Sequence, residues 1–155
     1  RAGGTVVVVD TFPGARANGA TRWLSPTKAL VQLSLRYRWE DVFWFTFFHE
    51  ASHIHLHRKK DVFVEQSLPT SLDQTDTDWL SFEREADRFA ARVLIPPVYD
   101  HQLQQLTLSE VPALAKRLNL APAIVVGRLQ HDGLLPYTHG NTLRRRLVFS
   151  NDLAT

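Results

Sequence analysis

The chain has 155 residues, 44% of them hydrophobic and 22% charged, with a formal net charge of +2. That is enough for one domain with its own core, and no apolar run approaches the roughly 18 residues of a membrane span. Cysteine is absent, which excludes disulfides and thiolate metal sites and leaves histidine, carboxylate and water as the only possible metal ligands.

The segments "TVVVVDTF" and "ALVQLSLRYRW" are β-branched or alternating and flank "PGARANGATRW", rich in Gly, Ala and Asn. They are expected to be two paired strands of a small antiparallel sheet, with "VQLSLRY" as an edge able to hold an extended peptide. From Glu40 and Asp41 the pattern becomes helical, since acidic residues suit a helix start, and the basic run His57 to Lys60 suits its end. Residues 65–78, "EQSLPTSLDQTDTD", are polar and are expected to form a surface loop, a candidate lid. A second helix is predicted over Thr77 to Leu94, stopped by Pro96 and Pro97. Two short helices joined near Leu120 to Pro122 follow. The expected architecture is a single α+β domain over 1–155. A sheet region (1–39) packs on a metal-binding helix pair (40–97), and a helical C-terminal part (98–155) completes it. The chain begins at Arg1 rather than methionine, and is expected to be a fragment that lacks its natural N-terminal region.

Four of the seven histidines lie in "FFHEASHIHLH". His49 and His53 are four apart, so on a helix they project from one face and can reach one ion. Glu50 lies about 100° round the helix, beside such an ion, where a general base would take a proton from water. His55 points the other way, and His57 lies about 12 Å along the axis from His49; both are assigned to packing or solvent. In "DWLSFEREADRFAARVLIP" the residues Trp79, Phe82, Ala86, Phe89, Ala90 and Val93 form an apolar stripe. Glu83 falls on it, whereas Glu85 falls on the outer side. A carboxylate on an apolar stripe requires a partner, and a third metal ligand supplies that explanation. Asp87, one turn on, is placed to orient a ligand imidazole. The competing assignment for Glu83 and Asp87 is an ion pair with Arg36 or Arg38. His49, His53 and Glu83 with a water suit zinc, and manganese or iron are compatible.

"FHEASHIHLH" followed by "EREADRFAARVLIPP" resembles the ImmA/IrrE family of metallopeptidases. The segments "GATRWLSP", "QLSLRY", "FWFTFFHE" and "IVVGRLQHDG" extend the likeness toward the branch fused to HigA-type antitoxins, which carry XRE helix-turn-helix domains. The resemblance implies a zincin-like fold with His49, His53 and Glu83 as zinc ligands, Glu50 as catalytic carboxylate and Asp87 as a supporting residue. Ser52 stands where the family usually has glycine. The resemblance also implies a helix-turn-helix domain preceding these residues, and cytoplasmic cleavage of a repressor or antitoxin as the function.

A rival reading is a DNA-binding module. "VPALAKRLNLAPAIVVGRLQ" has helix-turn-helix spacing, with Arg128 and Gln130 as base readers and Arg144 to Arg146 downstream. A third is a peptidase-like domain that acts as a sensor with little turnover. Tyr37, Tyr99, His101, His131, Tyr137 and His139 are each candidates to aim a donor at a developing oxyanion, and their spacing singles out none of them.

Overall fold

The computed structural model describes residues 3–9, 17–56, 63–64 and 74–148. Four strands, β1 (Gly3–Val9), β2 (Gly19–Ser25), β3 (Lys28–Ser34) and β4 (Phe63–Val64), form one sheet in the order β1-β3-β2-β4. The helices are α1 (Glu40–Leu56), α2 (Gln74–Leu94), α3 (Asp100–Gln105), α4 (Val111–Leu118) and α5 (Pro122–His131).

The α+β class is as expected, but the sheet is mixed rather than antiparallel. β1 pairs with β3 in parallel, from Gly3 opposite Lys28 to Val9 opposite Ser34. The reason is a strand hidden in the segment expected to be a loop. β2 turns tightly into β3 and pairs with it antiparallel, so two chain reversals separate β1 from β3 and the two run the same way. Flanked on both sides, β3 has no free edge over Lys28–Ser34, which rules it out as the peptide-binding edge. Ala29, Leu30, Val31 and Leu33 are buried accordingly, while Val6, Val7 and Val8 of the outer strand are exposed.

Helix α2 begins at Gln74, earlier than expected, so residues 74–78 are helical rather than loop. Polarity alone does not distinguish a loop from a first helical turn. The remainder of the predicted lid, 65–73, and His57 lie outside the described residues. Val93 is 45% exposed, against the stripe assignment. The buried line of α2 runs through Ala86, Ala90 and Ala91, whose small side chains let α2 pack against α1.

The apolar core lies in the C-terminal half, where Ile95, Leu103, Val111, Leu114, Val125, Val126 and Leu129 form one buried cluster. Asn119 takes the left-handed conformation (φ 55°) that ends α4 and lets α5 fold back. Gly127 brings α5 against α1: a Cβ there would lie 2.7 Å from Asp41 Cβ and Oδ2. The arginine run clasps the start of α1. Arg144 donates to both carboxylate oxygens of Asp41 at 3.0 and 2.8 Å, and Arg145 donates to Glu40 at 2.8 Å. The guanidinium groups of Arg144 and Arg146 stack on Trp39 at 4.6 and 4.7 Å from the ring centroid. Among the described residues, no helix is long and apolar enough to cross a membrane.

Candidate metal centre

Helix α1 is apolar around most of its circumference, yet the side chains it buries are polar. Its buried side chains are Glu40, Asp41, Thr46, His49, Glu50, Ser52 and His53, while Trp44 on the outer side is 40% exposed. A buried polar face must find partners, and they come from α2, β2 and the C-terminal segment. The hydroxyl of fully buried Ser52 donates to the His49 carbonyl at 2.6 Å, closing the turn between the two histidines.

His49 Nε2 and His53 Nε2 are 3.1 Å apart. Glu83 crosses from α2, with Oε2 at 3.2 Å from His49 Nε2 and Oε1 at 3.4 Å from His53 Nε2. The three residues thus offer ligand atoms that all lie within 4.8 Å of one another. Tetrahedral ligands at zinc bond lengths of about 2.05 Å stand about 3.3 Å apart, so the spacing fits a single small ion. The donor set, two imidazole nitrogens and a carboxylate, also suits zinc.

Asp87 Oδ1 accepts from His49 Nδ1 at 2.9 Å. That contact assigns the proton to Nδ1 and leaves the Nε2 lone pair facing the cluster. In the metal-free centre the ring is instead held protonated. Burial works against a charged His49, but hydrogen bonds to Asp87 and Glu83 and the charges of Glu83 and Glu50 outweigh it, and its pKa is raised to about 10. The cleft therefore favours a positive charge, which a cation would supply in place of the proton.

Glu50 is 1% exposed. Its Oε2 accepts from the Thr21 hydroxyl at 2.6 Å, and its backbone carbonyl lies 3.1 Å from the same hydroxyl. Gly19 completes the fit: a Cβ there would come within 2.7 Å of Glu50 Cγ, Glu50 Oε1 and Thr46 Cγ2. Strand β2 is thus moulded onto Glu50. Sequence reasoning missed both Gly19 and Thr21, because they lie in the stretch expected to be a loop. A hydroxyl inside the "GATRW" stretch was the one available signal.

The remaining expectations divide. Glu85 is exposed, and His55 is exposed with its ring 6.0 Å from that of Phe89. His131 is drawn toward the centre through Phe45, whose ring lies 5.1 Å from His131 and 6.4 Å from His49. Tyr99 packs on the C-terminal core instead. The DNA-reading assignment for α5 does not survive. Arg128 donates to the carbonyls of Ala91 and Ile95 and to Asp100, and Gln130, 3% exposed, donates to the carbonyl of His139. Both side chains are committed to partners within the fold.

No curated protein matches this chain. The family model described as the IrrE N-terminal-like domain, of the peptidase M78 family, matches residues 40–130. That span includes α1, α2 and the three converging side chains. With more than half of the chain matched, including every element that builds the centre except β2, the protein belongs to the M78 peptidase family.

Proposed function

We propose that this protein is a zinc-dependent endopeptidase that cleaves a cytoplasmic regulatory protein, such as a repressor or an antitoxin. The observation that carries the reading is the convergence of His49, His53 and Glu83 with Glu50 buried beside them. The M78 membership supports peptide hydrolysis. The choice of a regulatory substrate rests on the likeness to the branch fused to HigA-type antitoxins.

In this reading His49, His53 and Glu83 hold the ion, and Asp87 keeps His49 in the tautomer that presents Nε2. Zinc bound there supplies a Lewis acid that polarises a peptide carbonyl and makes water easier to deprotonate. Glu50 takes the proton from the attacking water and returns it to the leaving nitrogen. Thr21 donates to Glu50 Oε2, which fixes the carboxylate in place. Burial of Glu50 excludes competing solvent from that transfer.

Elemental analysis of untagged protein, together with turnover of a quenched-fluorescent peptide library, tests the proposal. The wild type is expected to carry about one zinc per chain. Glu83→Ala should lose it, whereas Glu85→Ala, altered on the exposed side of the same helix, should keep it. A wild type that takes up no zinc when zinc is offered would overturn the reading.

A further inference from the structure

The face of α1 that carries His49 and Glu50 continues toward the helix start through Phe45, Thr46 and Val42, three to eight positions earlier. There it lines a pocket of about 410 Å³ closed by α2 and α5. The apolar wall is made by Val42, Phe45, Ala91, Leu94 and Ile124. His131 and Tyr137, both solvent-exposed, also line it.

The pocket adjoins the metal centre. Thr46 lines it, and the Thr46 methyl and Glu50 Cγ both lie 2.7 Å from the point where a Cβ of Gly19 would stand. The Phe45 ring, on the same wall, is 6.4 Å from that of His49. A peptide lying across His49 and Glu50 therefore has a side-chain cavity within about one helical turn of the cleaved bond.

The charged groups of the wall are already engaged with one another. Asp41 receives two hydrogen bonds from Arg144, and Arg128 is held by Asp100, Asp132 and the carbonyls of Ala91 and Ile95. Gln130 donates to the His139 carbonyl at 2.8 Å. A charged visitor would have to break these pairs to be compensated, whereas an apolar one only buries surface.

We infer that this pocket is the specificity subsite, receiving one large apolar side chain, aromatic or branched aliphatic, next to the scissile bond of the substrate. The inference rests on the metallopeptidase reading above. Val42 of α1 and Leu94 of α2 both line it.

Calorimetry on the zinc-loaded protein with small hydroxamates tests it through binding, independently of turnover. The parent probe is acetohydroxamate. One derivative carries a benzyl group on the acyl side, as in N-acetylphenylalanine hydroxamate. The other places it to mimic a side chain on the leaving-amine side of the scissile bond and is neutral, as in 2-benzyl-N4-hydroxysuccinamide. One of the two is expected to bind about tenfold or more tighter than the parent, with no such gain for the carboxylate- or amine-bearing counterparts. The gain should vanish in Val42→Phe and in Leu94→Phe, each of which fills the cavity while parent binding persists. A benzyl group that confers no gain on either side, or a gain that survives both substitutions, would overturn the subsite alone. Zinc uptake with no binding of the parent probe would also remove it. Failure to take up zinc would instead remove the metallopeptidase reading, and the subsite with it.

Discussion

In α1 every buried side chain is polar or ionisable, whereas in α4 and α5 the buried residues are Val111, Leu114, Ala115, Ala123, Ile124, Val125, Val126, Leu129 and a single polar one, Gln130. The two regions touch, since α1 packs on α5, yet they are interiors of different kinds. The C-terminal cluster is held by the removal of apolar surface from water, which is non-directional and tolerant. The interior of α1 is held by specific pairs: Asp41 with Arg144, Glu40 with Arg145, Glu50 with Thr21 and His49 with Asp87. Buried polar groups are favourable only when each is satisfied. The C-terminal half supplies stability, and it supports a helix whose buried face is arranged for chemistry.

That contrast can be broken from either side. The largest expected effect is on turnover. Glu50→Gln should lower peptide hydrolysis about 10²- to 10⁴-fold, the range of a lost general acid-base group, while zinc content and melting temperature stay near those of the wild type. Product analysis by mass spectrometry beside thermal melting would show a misassigned role if hydrolysis were retained. In the apolar interior the pattern should reverse. Leu103, 1% exposed, changed to alanine should destabilise the fold by about 2–5 kcal/mol, measured by urea unfolding. The folded fraction should still bind zinc.

A smaller effect is expected between the two helices of the centre. Asp87→Asn retains a side chain that accepts at oxygen but loses the carboxylate charge, and should weaken zinc affinity about 10- to 100-fold in a competitive chelator titration. An unchanged affinity would show that the contact to His49 Nδ1 does not tune the ligand. A further effect concerns pH in the metal-free protein. His49 is raised from 6.5 to about 10 in the fold, so its contribution to stability is fully present below pH 6.5. It is lost as the pH rises through about 10. Melting temperatures in chelator should therefore fall more steeply over that window for the wild type than for His49→Gln. Parallel curves would contradict the sign.

Much of the centre was legible because it is written in short-range periodicity. The four-residue spacing of His49 and His53 puts them on one helical face, and counting along α2 put Glu83 inward and Glu85 outward, as the structure has them. The same counting misplaced Val93, because periodicity gives a direction but not how wide a face the neighbouring helix covers. The sheet was less legible. Strand β2 is rich in residues of weak strand preference, and its identity comes from pairing with β3 rather than from its own composition.

By itself, then, the sequence determined the α+β class, the two long helices, and which side chains of those helices share a face, because these follow from local backbone geometry. Only the tertiary structure decided the rest. It ran β1 parallel to β3, set Thr21 and Gly19 against Glu50, committed Arg128 and Gln130 to partners within the fold, and joined Asp41 to Arg144 across 103 positions of chain. It also opened a pocket beside the centre from three separate helices. These arrangements join residues far apart in the chain, and whether such a pair forms depends on the packing of everything between them, which no local pattern of residues contains.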